Sequence, residues 1–112
     1  MDSKQGVISD IIIYLNENSD KIEPAYKTFV NSCITFFEQN GYVGTNHLKK
    51  IKGIYYQIFS TNNLDKIVDK IDTESKYYSF VTSCYGFYLR NEYLGEKQAI
   101  ALFKIHKYLF KE

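Results

Sequence analysis

The sequence predicts an all-α fold of six helices, arranged as two tandem three-helix units with a period of about 51 residues. Three observations carry that prediction. One stretch is written twice, apolar residues recur at three- and four-residue spacing along most of the chain, and no run alternates apolar with polar as a half-buried strand does.

The repeated stretch is YKTFVNSCITFFEQNGYVG at 26–44 and YYSFVTSCYGFYLRNEYLG at 77–95. Laid together without a gap, these share Tyr26/Tyr77, Phe29/Phe80, Val30/Val81, Ser32/Ser83, Cys33/Cys84, Phe36/Phe87, Asn40/Asn91, Tyr42/Tyr93 and Gly44/Gly95. Nine identities in 19 positions exceed the roughly one or two that ordinary composition gives by chance. The implied organisation is a single domain, 1–112, with internal units 1–60 and 61–112, packed as a compact bundle or a short stack of helical hairpins. One unit alone leaves an apolar stripe open on each helix, and the second covers it.

The first helix is read from Ile8, Ile11, Ile12 and Leu15, which fall on one helical face before the polar run Asn16 to Asp20. Pro24, the chain's single proline, suits the first turn of the second helix, with Ser19 or Asp20 as its cap. That helix carries the stripe Tyr26, Phe29, Val30, Cys33, Phe36 and Phe37, and Asn40-Gly41 ends it. Thr45 or Asn46 caps a third helix bearing Leu48, Ile51, Ile54, Tyr55, Ile58 and Phe59. Ser60 to Asn63 reads as the turn between units. Leu64, Ile67, Val68 and Ile71 make a short fourth helix, the counterpart of the first. Tyr77, Phe80, Val81, Cys84, Phe87 and Tyr88 repeat the second-helix stripe on the fifth, and Leu102, Ile105, Leu109 and Phe110 form the sixth.

Composition narrows the function classes. The 112 residues are 45% hydrophobic and 24% charged, which is the balance of a soluble globular chain. Eleven Tyr and eight Phe are more aromatic residues than a small core can easily satisfy, so several are expected at the surface or in an interface. Formal net charge is +1, without the basic surplus that a nucleic acid or an acidic membrane demands. The chain does not start like a secretory signal, and its longest apolar run, Ile11 to Leu15, is too short to span a bilayer. Two cysteines in such a chain indicate free thiols in a reducing compartment, so a cytoplasmic location is expected.

No phosphate loop, dinucleotide fingerprint, nucleophile elbow or zinc-ligand spacing is present. Cys33 and Cys84 lie on core stripes, with no sequence-local cation to lower their pKa. His47 and His106 are expected to be solvated or at an edge. Neither an enzyme nor a cofactor is therefore expected.

The differences between the copies supply the functional expectation. Tyr78, Tyr85 and Leu89 replace Lys27, Ile34 and Glu38, while Ile100 and Phe103 replace Lys49 and Lys52. The C-terminal copy thus carries extra apolar surface, and Gly86 among these tyrosines suggests close approach of another backbone. The ordinary explanation is a more central, more deeply buried unit. The functional one is a docking surface for another protein or a second copy of the chain, made by Tyr78, Tyr85, Leu89, Ile100 and Phe103. On that expectation the chain is a non-enzymatic interaction module: an adaptor, an inhibitor or antitoxin-like partner, or an assembly subunit. The alternative is an accessory single-stranded nucleic-acid binder using Lys49, Lys50, Lys52, Tyr56, Lys104, Lys107, Tyr108 and Lys111, where lysines alternate with aromatic rings.

Overall fold

The computed structural model describes residues 3–110. Among them every regular element is helical: α1 (Ser3–Glu17), α2 (Pro24–Asn40), α3 (Thr45–Lys70), α4 (Tyr78–Asn91) and α5 (Glu96–Phe110), with a short 3-10 turn at Ser19–Lys21. None of these helices is long and apolar enough to cross a membrane. The chain divides into two compact units, Met1–Tyr55 and Tyr56–Glu112, and the division falls inside α3.

Five α-helices stand where six are expected, because the anticipated third and fourth run together as α3. Ser60 to Asn63 is helical rather than a turn. Neither Gly nor Pro occurs between Ile54 and Lys70 to break the backbone. The polar side chains that suggested a turn instead bond back onto the helix, Thr61 Oγ1 to the Gln57 carbonyl at 2.7 Å and Asn63 Nδ2 to the Phe59 carbonyl at 2.8 Å. The apolar stripe breaks here because the buried face changes side. At about 100° per residue, buried Ile51, Ile54 and Ile58 lie on one side of α3, and buried Ser60, Leu64 and Ile67 on roughly the other.

In the first unit, α1 buries Ile8, Ile11, Ile12 and Leu15, as their spacing predicts. Ser19 and Asp20 sit in the 3-10 turn and do not cap α2. Its N-cap is Glu23, which makes no side-chain cap bond, and Pro24 occupies the first turn where its missing N–H leaves no gap. α2 buries Val30, Cys33 and Ile34, while Tyr26 and Phe36 from the expected stripe are exposed. The stripe is rotated by part of a turn from the one read in the sequence. Ile34 belongs to it, and two of the aromatics do not.

In the second unit, Leu64, Ile67 and Ile71 pack with Val81 and Cys84 of α4, Leu94, and Leu102 and Ile105 of α5. Burying a side chain of this size contributes about 1.5–3 kcal/mol. Ser60 is a wholly buried polar residue of this unit. Its hydroxyl donates to the Ala99 carbonyl at 2.6 Å, and Gln57 Nε2 donates to the Leu94 carbonyl at 3.0 Å, so the third strut of the unit is fixed by hydrogen bonds as well as by packing. A turn built on Asp72 and Ser75 leads into α4: the Asp72 carboxylate accepts the Glu74 N–H and the Ser75 hydroxyl oxygen accepts the Tyr77 N–H.

The α2–α3 and α4–α5 corners use the same bonds. Gly41 (φ 78°) and Glu92 (φ 65°) are both left-handed, and each donates its N–H to the carbonyl four residues back, Phe37 or Tyr88, at 2.7 Å. Asn40 Nδ2 reaches the Phe36 carbonyl and Asn91 Nδ2 the Phe87 carbonyl, both at 2.9 Å. Tyr42 meets Phe36 edge-on at 5.3 Å between centroids, and Tyr93 meets Phe87 likewise at 5.4 Å. A left-handed residue closed by an apolar contact across the last turn is a standard helix stop.

Candidate protein-docking surface

The residues expected to dock lie on α4 and α5 of the second unit, and they differ in how much surface they offer. Tyr78 and Tyr85 are half-buried, packed against the Leu64–Leu102 core. Tyr85 stands where the first segment has buried Ile34, which is why it faces inward. Phe103 is half-buried against Tyr56 at 4.7 Å and Phe59 at 5.1 Å, with the Lys107 ammonium over its ring at 5.1 Å. Ile100 is half-buried as well. Leu89 alone of the five points into water, at 62% exposed.

The sequence named Tyr108 only for the nucleic-acid alternative and did not place Tyr93, Phe80 or Phe110 at the surface. Tyr93 is 57% exposed at the α4–α5 corner, Tyr108 is 68% exposed on α5, and Phe80 and Phe110 are exposed to a lesser degree. Phe80 was assigned to the core stripe, although taking Val81, Cys84, Tyr85 and Tyr88 as the inward face would have moved it to the rim. Tyr93 carried no periodic signal, because it lies between helices.

Gly86 does not mark a close backbone approach within the chain. A Cβ added there meets only the end of the Arg90 side chain, at 3.3 Å. The glycine instead leaves a gap in side-chain cover on the α4 surface, beside exposed Thr82 and Ser83. On α2 of the first unit an open depression is lined by Thr28, Asn31, Ser32, Thr35, Phe36 and Gln39.

The lysines of the nucleic-acid alternative are placed as follows. Lys49 is exposed and Lys52 half-buried. Lys50 lies over the Phe29 ring at 4.6 Å and the Tyr26 ring at 5.6 Å. Lys104 and Lys107 are exposed on α5, and Tyr56 is half-buried against Phe103. Lys111 lies outside the described residues. A lysine already drawn onto an aromatic face gives up that contact if it turns to a phosphate.

Both thiols and one of the two histidines are withdrawn from the surface. Cys33 and Cys84 are free, buried thiols. Burial pushes Cys84 up to about 11, and it also raises Cys33, where the nearby Lys50 charge opposes the rise. His106, expected to be solvated or at an edge, is buried between Phe59 (4.9 Å, edge-on) and Phe110 (4.5 Å). The aromatic residues around it make an apolar slot that takes the imidazole body. His47 is exposed beside Phe29. Among the described residues no group of three or more His, Cys, Asp or Glu side chains could hold a metal ion.

Comparison with protein-family models, with curated proteins and with solved structures finds no match for this chain.

Proposed function

We propose that the chain is a non-enzymatic helical protein–protein interaction module, built from a duplicated helical unit, that docks through the apolar surface of α4 and the α4–α5 corner. Leu89 carries this reading. It is 62% exposed, it replaces the glutamate found at the matching position of the first segment, and a water-facing leucine adds nothing to the core behind it. Tyr93, 57% exposed at the α4–α5 corner, adds a ring that offers area and a polar tip together. The withdrawn thiols and the buried imidazole support a role in binding rather than catalysis. The partner is a second copy of the chain or another protein, in the manner of an adaptor, an inhibitor or an assembly subunit.

The decisive variant is Leu89→Glu, which restores the residue type of the first segment. A surface change of this kind alters stability by no more than about 0.5 kcal/mol, so lost association can be read without lost folding. Tyr85→Asp is a poorer probe, because that ring also packs on the core. Sedimentation velocity over a rising concentration series should show an assembly that Leu89→Glu dissolves. If the wild type stays monomeric, a capture experiment decides. A defined protein held by wild type and released by Leu89→Glu sustains the proposal, and equal retention by both ends it.

A further inference from the structure

The sequence contains a single Asn-Gly pair, Asn40-Gly41, and it sits at the C-terminal cap of α2. Asn-Gly is the dipeptide most open to intramolecular attack, since glycine has no side chain to block the approach of its own nitrogen to the neighbouring amide carbon. Asn40 is also exposed, so water and base reach it freely. Two hydrogen bonds oppose the attack. The Gly41 N–H donates to the Phe37 carbonyl at 2.7 Å, and Asn40 Nδ2 donates to the Phe36 carbonyl at 2.9 Å. The first holds the proton that the nucleophile must lose, and the second holds the side-chain amide back along the helix.

From this geometry we infer that Asn40 is a covalent modification site gated by the fold, deamidating when the last turn of α2 opens and being protected while it is closed. In the open state the Gly41 nitrogen gives its proton to solvent and attacks Asn40 Cγ. The new C–N bond forms, the Cγ–Nδ2 bond breaks, and nitrogen leaves as ammonia. Water then opens the resulting succinimide to aspartate or isoaspartate. The product lacks the Nδ2 donor to Phe36 and places a carboxylate at a helix C-terminus, where the helix dipole disfavours it, so the cap that gated the reaction is weakened by it. The corresponding pair of the second segment, Asn91-Glu92, keeps the same cap bonds but has a side chain after the asparagine, and it serves as an internal slow site.

The test incubates the full chain in native buffer and in denaturing urea at one pH and temperature, and follows isoaspartate at Asn40 and Asn91 by peptide mapping. The native rate at Asn40 should be at least about tenfold below the unfolded rate, equivalent to an opening cost of about 1.4 kcal/mol. Tyr42→Ala removes the ring closing the corner and should raise the native rate while leaving the unfolded rate unchanged. Gly41→Glu copies Glu92 and should suppress the reaction in both conditions. Equal native and unfolded rates in the wild type overturn the gate, as does a native rate that Tyr42→Ala leaves unmoved.

Discussion

The segments 26–44 and 77–95 are the natural comparison within this molecule, because they share nine residues and each ends in a helical corner of the same local geometry. The shared residues divide by role. Val30/Val81 and Cys33/Cys84 are core positions in their own units. Asn40/Asn91, Phe36/Phe87 and Tyr42/Tyr93 build the corner, through one side-chain bond and one edge-on ring pair in each. Ser32 and Ser83 are exposed. Identity here preserves a helix stop as much as a core stripe. The differences fall where the surroundings differ: Ile34 against Tyr85 facing inward, Glu38 against Leu89 facing water, and Gly41 against Glu92 at the same left-handed backbone position.

The comparison is broken most forcefully at its core. Ile51 and Leu102 lie at matching distances beyond the two corners, and both are almost wholly buried. Truncating either to alanine removes burial and leaves a cavity, at a cost of about 2–5 kcal/mol. Urea unfolding of Ile51→Ala and Leu102→Ala should give midpoint shifts of similar size. A negligible shift for one of them would show that the corners match while the interiors behind them do not.

The two thiols give a smaller and pH-dependent contrast. Burial pushes Cys84 up to about 11 from an ordinary 9.0, so the folded state holds its proton more tightly than the unfolded state does. The stability this thiol contributes is therefore complete below about pH 9 and is lost as the pH climbs through 11. Cys33 is raised too, but the Lys50 charge works against its burial. Urea midpoints across this alkaline range should fall less steeply for Cys84→Ala than for wild type, and Cys33→Ala should change the slope less. Identical slopes for the two variants would mean that Lys50 does not distinguish the sites.

Much of the fold was legible because helical periodicity and stop signals are local. The α1 stripe, Pro24 at the head of α2 and the Asn40-Gly41 stop all follow from residues a few positions apart. The single helix through Ser60 was not legible. A polar run is read as a turn when the apolar stripe vanishes, and here the stripe vanishes because burial moves to the other side of α3. The proposed docking surface was legible only in part. Leu89 was reachable from its contrast with Glu38, since a leucine replacing a charge at a matched position has few explanations. Tyr93 was not, because a tyrosine suits a core rim and open water alike and so carries no sign of which it occupies.

The finest contrast lies in the backbone of the two corners. Gly41 takes a positive φ without steric cost, whereas Glu92 holds nearly the same angles with a Cβ and a negative charge at a helix C-terminus. Left-handed backbone costs a non-glycine residue about 1 kcal/mol, and the charge opposes the helix dipole. Glu92→Gly should therefore stabilise the chain by up to about 1 kcal/mol, reduced by the greater freedom glycine brings to the unfolded state. Gly41→Ala should destabilise it by about the same amount. The two shifts, read as urea midpoints at unchanged m, should have opposite signs. If Glu92→Gly instead weakens the fold, Glu92 makes a contact that outweighs its strain, and the corners differ in what holds them despite bonding alike.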